Sequence, residues 1–338
     1  MKVKLLAGIA AVAAVTLLTT ACGGGSSAGT AGSAAASGGA SPAAAAGKTI
    51  KVGFAQTGSE SGWRAANTKS MKDAFSTANG FELIFNAADN DPAKQIAAVR
   101  SFISQGVDAI VIAPIVSDGW DDVLKEAKSA KIPVILEDRT VSAPEDLWSA
   151  WVGDDFKTEG ERAGKWAATT LGTTATKMVV LEGTTGSAPA NDRAAGFTSA
   201  IAGTKIQTIA SQTGDFTRDG GKKVMEGFLQ KYGPTGINLV FAHNDDMALG
   251  ALEAISAAGA KPGTDIKVVS IDGVKDGMQA LVDGKINHIV ECNPLLGKQA
   301  ADLVKKVVGG QSVDKKQYAQ DGEFDQADAA KVLSSRAY

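Results

Sequence analysis

The sequence predicts an α/β protein of two doubly wound lobes, each built on its own parallel sheet. Short β-rich runs alternate with helix-period segments from Lys48 onward. That alternation is the pattern of parallel sheets covered by helices. It yields about ten strands, more than one open sheet in a chain of this length comfortably holds. It also restarts after Trp151-Val152-Gly153, so two similar sheets accommodate the strands better than one.

In the first half, Thr49–Ala55 reads as a strand and Gly62–Ala78 as a helix. Phe81–Asn86 is the second strand. Asp91 is a good N-cap with Pro92 at the first helical position, and Ile96, Val99, Phe102 and Ile103 then recur at helical spacing. Asp108–Ala113 is a continuous apolar run, as expected of a strand buried on both faces. A helix over about Asp118–Ser129 and the strand Ile132–Leu136 come next.

In the second half, Ser149–Gly153 is a strand and Lys157–Leu171 a helix. Strands are then expected at Lys177–Leu181, Ile206–Ala210, Asn238–Ala242, Ile266–Ile271 and Ile286–Glu291. Helices at Asp192–Ile201, Asp219–Lys231, Asp245–Ala258 and Leu295–Val308 alternate with them, and a short helix comes after Ile271. A last strand falls near Lys316–Gln320.

The N-terminus sets the compartment. Lys2 and Lys4 precede an apolar run, Leu5–Leu18, and then Thr19-Thr20-Ala21-Cys22. A basic start, a short apolar stretch and small residues describe a signal peptide over residues 1–21, too short for a mature span of a ~30 Å bilayer. Leu18–Cys22 resembles a bacterial lipobox, which implies cleavage before Cys22 and acylation of its thiol. Residues 22–47, nearly all Gly, Ala and Ser, read as a flexible tether. The expected location is the extracytoplasmic face of the cell membrane, lipid-anchored.

Net charge is −3, so no basic footprint for nucleic acid exists. Cys22 and Cys292 are the two cysteines, His243 and His288 the two histidines. None cluster at metal-ligand spacing, and no metal or cofactor is expected. With Cys22 acylated, Cys292 has no disulfide partner and reads as a small buried residue.

In open α/β sheets, ligands bind beyond the carboxyl ends of strands. The residues there include Glu60, Trp63 and Arg64 after the first strand, and Asp138-Arg139 after the fourth. Asn191-Asp192-Arg193, Asp215-Phe216-Thr217-Arg218, His243-Asn244-Asp245-Asp246, Asp272 and Glu291 come after strands of the second half. Carboxylates accept from neighbouring hydroxyls, Arg forks donate, and aromatic faces pack on a sugar's C–H face. Several residues have a simpler reading. Asp192, Asp215, Asp219 and Asp245 read as helix caps, Asp246 as a first-turn helix charge, and Arg218 as a solvated helix start. Trp120, Trp148, Trp151 and Trp166 read as packing or rim residues.

Lys51-Val52-Gly53-Phe54, Asp138-Arg139, Asn191-Asp192-Arg193, Gly214–Arg218, His243–Ala248 and Ser270–Gly273 together resemble the type I periplasmic sugar-binding proteins, the ribose- and galactose-binding group. The resemblance covers roughly Thr49 to Tyr338. Gly58–Arg64, Val99–Phe102, Ile112-Ala113-Pro114 with Gly119-Trp120, and Ser211–Arg218 look like the galactofuranose-binding members of ABC importers.

The resemblance implies a monosaccharide ligand, a membrane permease as partner and a monomeric protein. It implies stacking on Trp63 with Arg64 beside it, and Glu60 in the same loop. Asp138 and Arg139 would bind from the first lobe, and Arg193, Asn244 and Asp272 from the second. Phe216 matches an aromatic of the ribose binders, and Glu291 stands where they have a Gln. Ribose binders have adjacent aromatics where this chain has Trp63-Arg64, which argues for a different furanose. The resemblance also implies three crossovers, near Gly153, Glu291 and Lys316–Gln320. They would place 48–152 with about 292–317 in the N-terminal lobe, and 153–291 with about 318–338 in the C-terminal lobe.

A sensor component presenting a sugar to a membrane receptor is the alternative. A glycosidase is disfavoured, because the acids lie beside Arg groups that keep them ionised and no catalytic constellation appears. A repressor effector domain would need a DNA-binding headpiece and no export signal.

Overall fold

The computed structural model describes residues 48–338; the expected signal peptide, the acylated Cys22 and the tether lie outside the described residues. The first sheet has strand order β11-β5-β4-β3-β1-β2 and the second β12-β10-β9-β8-β6-β7. The first contains β1 (Ile50–Gln56), β2 (Phe81–Ala87), β3 (Ala109–Ile112), β4 (Val134–Glu137), β5 (Ala150–Gly153) and β11 (Lys316–Tyr318). The second contains β6 (Thr176–Glu182), β7 (Ile206–Thr213), β8 (Leu239–Ala242), β9 (Lys267–Asp272), β10 (His288–Glu291) and β12 (Glu323–Phe324). The chain therefore passes between sheets after β5, after β10 and after β11.

The pairs β1–β2, β1–β3, β3–β4, β4–β5 and β5–β11 are parallel, as are their counterparts through β9–β10. The exception is β12, antiparallel to β10 and absent from the sequence reading. A two-residue strand is too short to show a period.

Alternate residues of each strand point into different cores. Met178 and Val180 of β6 join Leu239, Phe241, Val269 and Ile271 beneath α4 (Phe156–Leu171) and α5 (Ala188–Ala200). Val179 and Leu181 face Val240, Ala242 and Val268 beneath α6 (Arg218–Tyr232) and α7 (Asp245–Ala257). The first sheet repeats this. Val52 and Phe54 pack toward α1 (Gly62–Ala74) and α9 (Gly297–Val308), and Ile110 and Ile112 toward α2 (Pro92–Ser104) and α3 (Asp121–Ser129). Each such buried side chain contributes roughly 1.5–3 kcal/mol. The remaining helices are α8 (Lys275–Val282) and α10 (Gln326–Val332). No described helix is long and apolar enough to cross a membrane.

Asp91 caps α2 as expected, accepting from Ala93 and Lys94 N–H. The other expected caps do not form. Ser187 caps α5, with Pro189 in its first turn, so that helix begins before Asp192. Thr217 caps α6 in place of Asp215 or Asp219, and Asn244 caps α7 in place of Asp245. The four acids lie within a few residues of a helix start, but the capping residue is the one whose backbone turns extended there. Trp120, Trp148 and Trp151 are buried core residues, as read, and Trp166 packs on His288.

Candidate functional site

Because the strands of each sheet run in parallel, their carboxyl ends gather on one edge, and the two edges face each other across a chamber. The space between the walls, counted out into its open mouth, is about 270 Å³. Glu60, Trp63, Arg64, Asp138 and Arg139 line it from one lobe; Arg193, Phe216, Asn244 and Asp272 line it from the other. Every expected ligand residue is brought there except Glu291. That carboxylate instead accepts from Tyr338 Oη (2.6 Å), Gly322 N (2.8 Å) and Arg336 Nη1 (2.7 Å). It ties the C-terminus to the crossover after β10, which corrects the expectation drawn from its position.

The first wall is a self-paired charge network. Arg64 Nη2 donates to Asp138 Oδ2 at 2.5 Å, and its Nε to Glu60 Oε1 at 3.2 Å. Arg139 Nη2 reaches the same Glu60 oxygen at 3.1 Å. Ser61 caps α1, so Trp63 and Arg64 leave the first helical turn together. Trp63 Nε1 donates to the Cys292 carbonyl at 2.7 Å, which fixes the indole, and the Arg64 guanidinium lies 4.6 Å from its centroid. Asp138 holds a left-handed backbone, φ 59°, which turns its side chain off the strand end. Burial pushes the Glu60 carboxyl up, yet Arg64 and Arg139 overcome it and hold Glu60 below the ordinary range. Behind this wall, burial and then Asp138 raise Glu137 to about 8.

The second wall centres on Arg193. Its Nε donates to Glu159 Oε2 at 2.7 Å and its Nη1 to the His243 carbonyl at 2.6 Å, while Nη2 lies 3.9 Å from Asp272 Oδ1. Glycine allows this approach: a Cβ on Gly160 would lie 2.2 Å from the Arg193 carbonyl oxygen. Burial lifts Glu159 to about 7 in spite of Arg193, and lowers His243 to about 3 with help from that guanidinium, so this imidazole is neutral. Asn244 caps α7 through Oδ1 and donates from Nδ2 to the Phe216 carbonyl at 3.0 Å. Phe216 fits because residue 183 is glycine; a Cβ there would meet the ring at 1.9 Å.

Asp245 supports this wall from behind. It accepts from Ser270 Oγ (2.6 Å), Gly273 N (2.8 Å) and Val274 N (2.9 Å). Those bonds pin the turn that carries Asp272, whose φ is 127°.

Sequence reasoning missed Ser61, Pro189 and Cys292 as lining residues, and Glu159 as the partner of Arg193. Glu159 lies on α4, beyond the end of β5, so the strand-end rule extends to it; the residues following that strand were not among those singled out. Asp154, Glu159 and Cys292 also present buried ligand-type atoms within 4.8 Å of one another. One of those groups, Glu159, is already bonded to Arg193. Cys292 is buried, as expected.

Two buried atoms of lining residues make no hydrogen bond: Arg139 Nε, a donor 3.6 Å from Asp138 Oδ2, and Asp272 Oδ2, an acceptor. In formal charge the lining balances, with Arg64, Arg139 and Arg193 against Glu60, Asp138 and Asp272, and burial pushes the Asp272 carboxyl well above the ordinary range against the pull of Arg193. Such a chamber suits a neutral molecule carrying several hydroxyls.

Residues 52–312 match the periplasmic binding protein domain family. The chain belongs to that family. Among curated relatives of this periplasmic binding protein, the galactofuranose-binding protein YtfQ of Escherichia coli is 45% identical over 76% of this chain and 81% of its own. The fructose import binding protein FruE of Bifidobacterium longum is 36% identical over 85% and 88%. A crystal structure from Mycobacterium smegmatis in complex with β-D-fucofuranose superposes with TM-score 0.80 at 54% identity, covering 84% of this chain and 94% of that one.

Proposed function

We propose that the protein captures one monosaccharide in its furanose form, galactofuranose or a close relative, and delivers it to an ABC permease. The observation that carries this reading is the chamber itself. It is charge-balanced, shared between lobes, and has an unpartnered donor on one wall and an unpartnered acceptor on the other. Its walls are closely apposed and lined by a single set of charged and aromatic side chains from both lobes, an arrangement that fits one small ligand better than an extended chain. The furanose form is supported by the β-D-fucofuranose complex and by the galactofuranose-binding relative. Import is supported by the fructose import binding protein. In this reading capture involves no covalent step, as expected of a binding protein of an importer.

The same reading includes export by the N-terminal signal, an acyl anchor on Cys22 and action as a monomer. Mass spectrometry of the membrane-extracted N-terminal peptide tests the anchor, and sedimentation tests the monomer.

Calorimetric titration and melting shifts of residues 48–338 with D-galactose, D-fucose, L-arabinose, D-ribose, D-fructose and D-xylose test the ligand. A sugar at a hundredfold its Kd adds ~2.7 kcal/mol of apparent stability. Binding of the furanose-forming galactose, fucose or arabinose in preference to xylose is the expected result. A folded protein whose melting no sugar shifts overturns the reading.

A further inference from the structure

The N-terminus of α1 lies at the mouth of the chamber, and the first N–H groups of any helix have no partner within it. Ser61 Oγ satisfies Arg64 N–H at 3.1 Å. The Gly62 N–H is satisfied from the opposite lobe, by Asp246 Oδ2 at 2.8 Å. Asp246 is the second residue of α7, a helix whose cap is already supplied by Asn244. Its carboxylate is therefore not needed to start its own helix. It is held in place by Arg218 Nε on the same lobe, 3.7 Å away, and its side chain is 12% exposed.

We propose that Asp246 is the latch of the closed cleft: a carboxylate of the second lobe that completes the α1 terminus of the first and so positions both walls around the sugar. The inference rests on the sugar-capture reading. The bond joins two rigid elements on different lobes, so opening the cleft breaks it. A contact made only in the closed form shifts the equilibrium toward that form. Charge makes it strong, because a carboxylate accepting a backbone N–H at a helix start gains from both the hydrogen bond and the helix dipole. Two neutral or weaker contacts also cross the mouth. Ser117 N–H donates to the Gly186 carbonyl at 2.9 Å, and the Arg139 guanidinium lies 5.2 Å from the Phe216 centroid.

The test compares wild type, Asp246→Ala and Asp246→Asn, titrated with D-fucose and with L-arabinose. Circular dichroism checks that each variant is folded. Losing one hydrogen bond to a charged group should weaken binding about tenfold or more in Asp246→Ala. The loss should appear as faster sugar dissociation with an unchanged association rate, because encounter precedes closure. Asp246→Asn keeps an oxygen acceptor and should fall between the two; a merely structural role would not produce that graded dissociation. Equal affinities and dissociation rates in all three proteins overturn the latch. If neither sugar binds wild type, the furanose reading fails, and amide hydrogen exchange at Gly62 decides the latch separately. Faster exchange in Asp246→Ala than in wild type supports it; equal exchange overturns it.

Discussion

On one wall of the chamber Glu60, Arg64, Asp138 and Arg139 bond mainly to one another. On the other, Arg193 reaches back into its lobe toward Glu159 and the His243 carbonyl, and only loosely toward Asp272. The first wall is set before a ligand arrives, so little reorganisation accompanies binding. Each wall keeps one buried atom without a hydrogen bond, Arg139 Nε on the first and Asp272 Oδ2 on the second, but on the second wall the atom belongs to a residue that no close ion pair holds. The two lobes share a strand order yet pair their charges differently.

The largest expected effect breaks the second wall. Arg193→Ala strands Glu159 and Asp272 as buried, unpaired acids, which should cost about 3–5 kcal/mol of stability and abolish sugar binding. Denaturant melts and calorimetry measure both. Asp138→Ala is milder, because Arg64 and Arg139 keep Glu60. We expect about 1–3 kcal/mol of lost stability and roughly a hundredfold weaker binding.

Titration separates the walls by sign. Burial is the largest influence on both Glu159 and Glu60, but Arg193 alone does not offset it, whereas Arg64 and Arg139 together do. Glu159 is raised from the ordinary 4.5 to about 7. Its contribution to stability is complete below pH 4.5 and is lost as pH rises through about 7. Glu60 is lowered, so its contribution is present above the ordinary carboxylate range and is lost as pH falls. Within its window one such group changes stability by ~1.4 kcal/mol per pH unit. Melting temperatures at about pH 5, near the lower end of the Glu159 window, and at about pH 8, above it, should therefore draw closer in Glu159→Gln. Glu60→Gln should remove loss on the acid side only.

Gly183→Ala places a methyl inside the Phe216 ring's space. The ring must move, at about 1–3 kcal/mol for overpacking, with binding weakened through the second wall; a melt and one titration read this. The smallest expected effect on binding is Glu291→Gln. Its carboxylate serves Tyr338, Gly322 and Arg336, so sugar affinity should stay within about twofold while stability falls by about 1 kcal/mol. A large affinity loss would return Glu291 to the ligand set.

Much of the chamber was legible because parallel strands all end on the same edge, so the residues just past each strand are the ones that line it. Trp63, Arg64, Asp138, Arg139, Asn244 and Asp272 were found that way. Glu159 was not, because its significance lies in pairing with Arg193, and that approach depends on close packing of α4 on α5 around Gly160. Caps were misplaced among Asp192, Asp215, Asp219 and Asp245, since composition marks the neighbourhood of a helix start but backbone geometry picks the residue.

By itself the sequence determined the alternation of strands and helices, the division into two sheets and the set of charged strand-end residues. These arise from local periodicity, which each segment carries within itself. Only the tertiary structure decided which charges pair. It turned Asp245 inward to brace Asp272, sent Glu291 to the C-terminus and set Asp246 against the opposite lobe. Pairing depends on distances between residues far apart in the chain, and those distances exist only once both lobes have packed.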